Sequence, residues 1–264
     1  VLFWGSGILK DSWTLAACGW FCASFYGIFI NRKTTSGPVI SILLASLILI
    51  FVKPYIFMAL MPACIIWGTW GKIVGIENYI LRIFAIPFLL FISIGGGVLL
   101  WNSVSSLFGQ YSTIEGIVFK AWASSEDLKQ AYYHGHSFDI GSYDPTVSGI
   151  LSKFPVATVA GLFRPYLWDA KNIVMLFSGL ENLLLLGFTL WVLFRKPRAA
   201  FARLFSNSLV LFCLIFALVF AFSIGVSTSN FGALVRLRIP MIPFFLCGLI
   251  IVEYVSAKNS AKEN

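Results

Sequence analysis

The chain has 264 residues, of which 59% are hydrophobic and only 11% charged, with a formal net charge of +8. Soluble domains carry about a quarter charged residues, so this composition excludes a soluble globular enzyme and indicates a polytopic membrane protein. The basic residues are scattered through short loops between apolar runs, not gathered into a stripe, which argues against nucleic-acid binding.

The chain opens Val1-Leu2-Phe3-Trp4-Gly5-Ser6-Gly7 with no basic n-region or cleavage site, the pattern of a sequence missing its N-terminal part and not of a signal peptide. Crossing ~30 Å of hydrocarbon takes about 20 apolar residues, and residues 12–30 supply the first such run, preceded by Lys10-Asp11. Asp11 or Ser12 suits the N-cap, while Lys10 suits either a lipid headgroup or an anionic ligand. The apolar stretch 38–70 is too long for one crossing at 1.5 Å per residue, and Lys53-Pro54 divides it into two short helices, 39–52 and 54–70. Residues 83–101 make the fourth span, where Gly95-Gly96-Gly97 permits close helix approach.

Residues 102–172 form the only long polar segment, too long for an idle connection. An amphipathic interfacial helix is expected over 103–133, with Leu107, Tyr111, Ile114, Ile117, Val118, Ala121 and Trp122 on its apolar face. His134 and His136 stand beside Asp139, too few ligands for a metal site, so none is expected. Asp144-Pro145-Thr146 predicts a helix start capped by Asp144. The apolar run 147–163, interrupted by Lys153 and Pro155, predicts a short interfacial or re-entrant helix, which needs protein or a wet cavity around it. Asp139 and Asp144 are the candidate catalytic acid/base residues, because outer loops on rigid scaffolds carry such groups.

Three further spans follow at 173–194, 209–226 and 239–255. Glu181 is the only charge inside a full span, suited to pairing with an arginine or to accepting a proton. All five cysteines lie in apolar runs, which disfavours a disulfide frame. Arg195, Lys196, Arg198 and Arg203 crowd one short loop, and placing it in the cytoplasm puts Arg32, Lys33, Lys72, Arg82, Lys258 and Lys262 on the same side. The expected fold is all-α: a polytopic transmembrane helix bundle of about seven spans, with helices 1–4 in 1–101, an outer-face segment of interfacial or re-entrant helices in 102–172, and helices 5–7 with a cytoplasmic tail in 173–264.

Lys53-Pro54, Arg164-Pro165 and Arg238-Ile239-Pro240 each set a cation just ahead of a proline, a residue suited to the first turn of a helix. A helix N-terminus already carries about half a positive charge. The pattern therefore predicts an outer-face anion site, with Lys53, Arg164, Arg238, Arg236 and Lys10 as phosphate-binding candidates and Asp169 and Glu181 in support. Snorkelling of the arginines to lipid headgroups is the other use of the same residues.

Four stretches carry a family resemblance: Phe3-Trp4-Gly5-Ser6-Gly7-Ile8-Leu9-Lys10-Asp11, Lys53-Pro54-Tyr55, Leu162-Phe163-Arg164-Pro165-Tyr166-Leu167-Trp168-Asp169, and Asn230-Phe231-Gly232-Ala233-Leu234-Val235-Arg236-Leu237-Arg238-Ile239-Pro240. They resemble landmarks of bacterial multi-span glycan-assembly proteins, the group of GT-C-type glycosyltransferases and O-antigen-polymerase-like proteins. The resemblance implies transfer or polymerisation of sugars carried on a polyprenyl phosphate or diphosphate at the periplasmic face of the inner membrane, without a cofactor. It puts Arg164, Arg238 and Lys53 on the (di)phosphate and lets Asp139 or Asp144 deprotonate the acceptor hydroxyl. A transporter or flippase of an anionic lipid-linked solute, or a non-catalytic membrane subunit, would use the same cations.

Overall fold

The computed structural model describes residues 10–33, 35–78, 80–81, 84–85, 87–89, 91–92, 95, 113–130, 137–195, 197 and 207–263. Their regular structure is helical: α1 (Lys10–Phe25, continued by a π-turn over Tyr26–Ile30), α2 (Ser36–Val52), α3 (Pro54–Val74), α4 (Ile114–Asp127), α5 (Val147–Ser152), α6 (Phe154–Phe163), α7 (Ile173–Arg195), α8 (Ser208–Ser227), α9 (Phe231–Leu237) and α10 (Ile242–Glu263). Four helices are long and apolar enough to cross a membrane: Lys10–Ile30, Pro54–Val74, Ile173–Arg195 and Ser208–Ser227. Phe231–Leu237 and Ile242–Tyr254, bent by 63°, add a fifth if the pair counts as one span. By length and composition this is a multi-pass helical membrane protein.

The expected count of about seven spans is not reached among the described residues. α2 is only 17 residues long, short of a full crossing. The span expected at 83–101 lies largely outside the described residues, as do His134 and His136. Lys53-Pro54 does break the long apolar stretch. Lys53 adopts φ −149°, ψ 79°, because a residue before proline is pushed out of the helical region, and Pro54 opens α3. α3 runs on to Val74, past the expected end at residue 70 and straight through Pro62, so it is a full-length span and not a short one.

α8 is apolar on every side, the mark of a helix surrounded by others. Its Phe212, Phe216 and Phe220 are fully buried. Phe212 stacks on Trp67 of α3 at 4.6 Å, Phe220 on Tyr55 at 5.9 Å, and Phe216 meets Phe244 of α10 edge-on at 4.9 Å. Against α6 the packing is of another kind. Gly161 and Gly225 each lie so close to the facing helix that an added Cβ would collide with the carbonyl of Ala221 or Ala157 respectively. Ala157 and Gly161 on α6, and Ala221 and Gly225 on α8, form two small-xxx-small pairs facing each other, which lets the two backbones touch.

The apolar run 147–163 splits at Lys153 into α5 and α6, and α6 buries Ala157, Thr158 and Ala160 through Phe163. The cap of α5 is Thr146, whose hydroxyl accepts the Gly149 N–H at 3.0 Å; it is not Asp144. Proline at 145 therefore precedes the helix instead of entering its first turn. Ahead of it, α4 starts later than expected, at a Thr113 cap that accepts the Gly116 N–H.

Candidate functional site

Asp11, in the first turn of α1, is 1% exposed, and its two carboxylate oxygens accept from Lys53 Nζ and Arg236 Nε. Three helix ends meet here. The start of α1 favours the carboxylate, the end of α9 favours Arg236, and the start of α3 disfavours Lys53. The anion that Lys53 needs is thus supplied by the protein itself. Two cations share this one carboxylate, Lys53 buried and Arg236 44% exposed. Lys10 is exposed beside it in sequence.

Arg164 and Arg238 do not stand at helix N-termini. Arg164 follows the last residue of α6, and Arg238 is the C-cap of α9. A cation at a helix C-terminus is favourable, so the inference of an anion drawn from these two positions does not hold. Arg238 goes further than its own helix. Only 1% exposed, it donates from Nη1 to the carbonyl of Arg164 at 2.9 Å and to that of Leu162 at 3.4 Å, satisfying acceptors at the end of α6. Its Nε has no partner among the described residues. Arg236 and Arg238, two residues apart, thus diverge, one to Asp11 and one to α6.

A cavity of about 380 Å³ lies between α7 and α10, lined by Glu181, Asn182, Leu184, Phe188, Arg238 and Leu246 among others. It brings the in-span acid and the buried arginine to one space. Asn182 donates to the carbonyl of Pro165 at 2.8 Å, tying α7 to the chain that leaves α6. Neither Lys53 nor Arg164 lines this cavity, so the three expected phosphate ligands do not share it: Lys53 pairs with Asp11 and Arg164 lies against Phe138 and Tyr166.

Arg164 itself is half-buried, with its guanidinium carbon over the ring of Phe138 at 5.3 Å and over that of Tyr166 at 5.6 Å. No described carboxylate pairs with it. Tyr166 stacks in turn on Trp168 at 4.8 Å, and Trp168 is 80% exposed. Asp169 shapes this turn: its Oδ2 accepts the Tyr166 N–H at 2.9 Å. Asn172 then caps α7 by accepting the Met175 N–H at 2.8 Å.

The two candidate acids of the 102–172 segment differ. Asp139 is paired with Lys129 at 3.0 Å, and that bond, with the Gly141 N–H, holds its carboxyl below the usual range. A carboxylate so stabilised is a weak proton acceptor. Asp144 is exposed and meets no described cation. The segment is fastened to the turn after α8 by Phe138 N–H on the Ser229 carbonyl (2.7 Å), the Ser125 and Ser229 hydroxyls (2.6 Å) and the Tyr143 hydroxyl on the Val226 carbonyl (2.8 Å). Among the described residues no three metal-ligating side chains come together.

Sequence reasoning missed Asp11 as the hub of an ion cluster and Phe138, Tyr166 and Trp168 as one aromatic run around Arg164. An acid directly abutting the start of an apolar span was the available signal for the first. The Arg164-Pro165-Tyr166-Leu167-Trp168 alternation was the signal for the second. No family model, curated protein or solved structure matches this chain.

Proposed function

We propose that this multi-pass protein, with about seven spans in a bacterial inner membrane, transfers or polymerises sugars carried on a polyprenyl phosphate or diphosphate at the periplasmic face. Arg164 carries the reading. Its guanidinium is held against two aromatic rings, is half-accessible, and has no carboxylate partner among the described residues. Such an arrangement leaves the planar donor fork preset for a phosphate. Lys10, exposed next to Asp11 in sequence, adds a cation to the same end of the bundle. Arg238 supports the site indirectly by fixing the carbonyl of Arg164, and Asp144, exposed and not held by a described cation as Asp139 is, is the acid to accept a proton from an acceptor hydroxyl.

The test is binding of a polyprenyl phosphate to the full chain in nanodiscs. Arg164→Gln is expected to weaken binding about ten-fold or more, the value of a charge-assisted contact near 1.4 kcal/mol, with Arg164→Lys in between. Unchanged affinity in Arg164→Gln removes the reading. With binding retained, loss of glycan product in Asp144→Asn supports transfer chemistry, and intact product points to a carrier of the same lipid.

A further inference from the structure

Resting on the reading just given, we infer that Trp168 is the stacking platform for a pyranose ring of the lipid-linked glycan, set beside the phosphate contact at Arg164. Four side chains form a continuous series: Phe138, 5% exposed, then the Arg164 guanidinium, then Tyr166, then Trp168. The buried end anchors the series and the far end is open. Tyr166 and Trp168 are nearly parallel, at 28° between planes, so one face of the indole is occupied by the phenol ring and the indole as a whole is 80% exposed.

An exposed indole face has a negative π cloud, and the apolar face of a pyranose presents C–H groups of slight positive charge, so the two match in shape and sign. A sugar is the part of the substrate that would lie next to its phosphate, and the cation that would meet that phosphate, Arg164, touches the same Tyr166 ring on which Trp168 stacks. The turn is preset for this. Asp169 accepts the Tyr166 N–H and Leu167–Asp169 forms a short helical turn, so Trp168 is presented by constrained backbone instead of a free loop. Asn182 holds the Pro165 carbonyl and Arg238 holds that of Arg164, which fixes the chain leading into the turn. A tryptophan serving only as an interfacial anchor needs neither the stacked ring beneath it nor a guanidinium with no carboxylate partner among the described residues beside that ring.

The experiment compares a polyprenyl-diphosphate-linked oligosaccharide with a sugar-free polyprenyl phosphate, both titrated into the full chain in nanodiscs. Trp168→Ala is expected to weaken the sugar-bearing lipid three- to ten-fold, the range of one aromatic stacking contact, and to leave the sugar-free lipid unchanged. Trp168→Phe, which keeps a ring and tests against misfolding, is expected to recover most of the loss. Arg164→Gln weakens both lipids, so failure of the phosphate reading shows in that variant alone. Saturation-transfer NMR with lipid-free oligosaccharides reads the platform without the phosphate, and the signal should persist in Arg164→Gln and vanish in Trp168→Ala. Equal loss for both lipids in Trp168→Ala, or no loss for either, overturns the proposal in favour of a membrane anchor.

Discussion

Asp11 is the residue whose removal should be felt most. Replacing it with Asn leaves Lys53 buried with no full counter-charge, and breaking a buried pair in this way costs about 3–5 kcal/mol. Thermal unfolding in detergent should show that loss for Asp11→Asn and partial recovery when Lys53→Met is added; an unchanged melt would remove the cluster from the stability account. Asp139 is a milder case. Its folded pKa lies below the unfolded value of about 3.9, so the pairing with Lys129 stabilises above that pH and fades as pH falls through the folded pKa. With the carboxylate 64% exposed, the effect is only a few tenths of a kcal/mol, roughly, and Asp139→Asn should flatten the pH dependence of the melt below about pH 4. The break at Lys53 was legible because proline acts on its immediate neighbour. The partners of Asp11 were not, since they lie 42 and 225 residues away and are brought together only by packing.

At the scale of helices, the crossing of α6 and α8 depends on two glycines. Gly161→Val or Gly225→Val places a side chain against a facing carbonyl, and backbone cannot yield as a side-chain tip can. Either change should lower the yield of folded protein from detergent and the melting temperature, whereas Gly187→Ala, which meets nothing within 4 Å, should not. Reading the helix ends from sequence went astray at Arg164 and Arg238 for a definite reason. Proline marks the first turn of a helix, but it is also common one to three residues beyond a helix end. Pro54 is of the first kind; Pro165 and Pro240 are of the second, and nothing local to those dipeptides tells the two apart. The short apolar helix before Arg164 was legible from its length and from Lys153; that it would press against α8 rested on Ala157 and Gly161, whose spacing means little without the matching pair on α8.

For the whole molecule, the two ends of the bundle differ in chemistry. At one lie Asp11, Lys53, Arg236 and Arg164; at the far end of α7, Arg195 donates to Glu253 of α10 at 2.6 Å and lies over Trp191. Single cysteines at Lys10 and Arg195 in a cysteine-free background should therefore react from opposite sides with a membrane-impermeant maleimide, Lys10→Cys in intact cells and Arg195→Cys only after permeabilisation. The class of protein was legible from composition, while the number of spans was not, because α2 is apolar throughout yet falls short of a crossing. One consequence concerns how the chain is made. α6 has ten residues, too few to span a bilayer alone, and both its closest neighbour and the guanidinium that satisfies its terminal carbonyls belong to segments synthesised later, Arg238 being 74 residues downstream of Arg164. During synthesis α6 has no finished berth until α8 and α9 emerge, so its lodging among the spans is a late event of biogenesis, and a nascent chain halted after Arg195 should leave it accessible to protease or label.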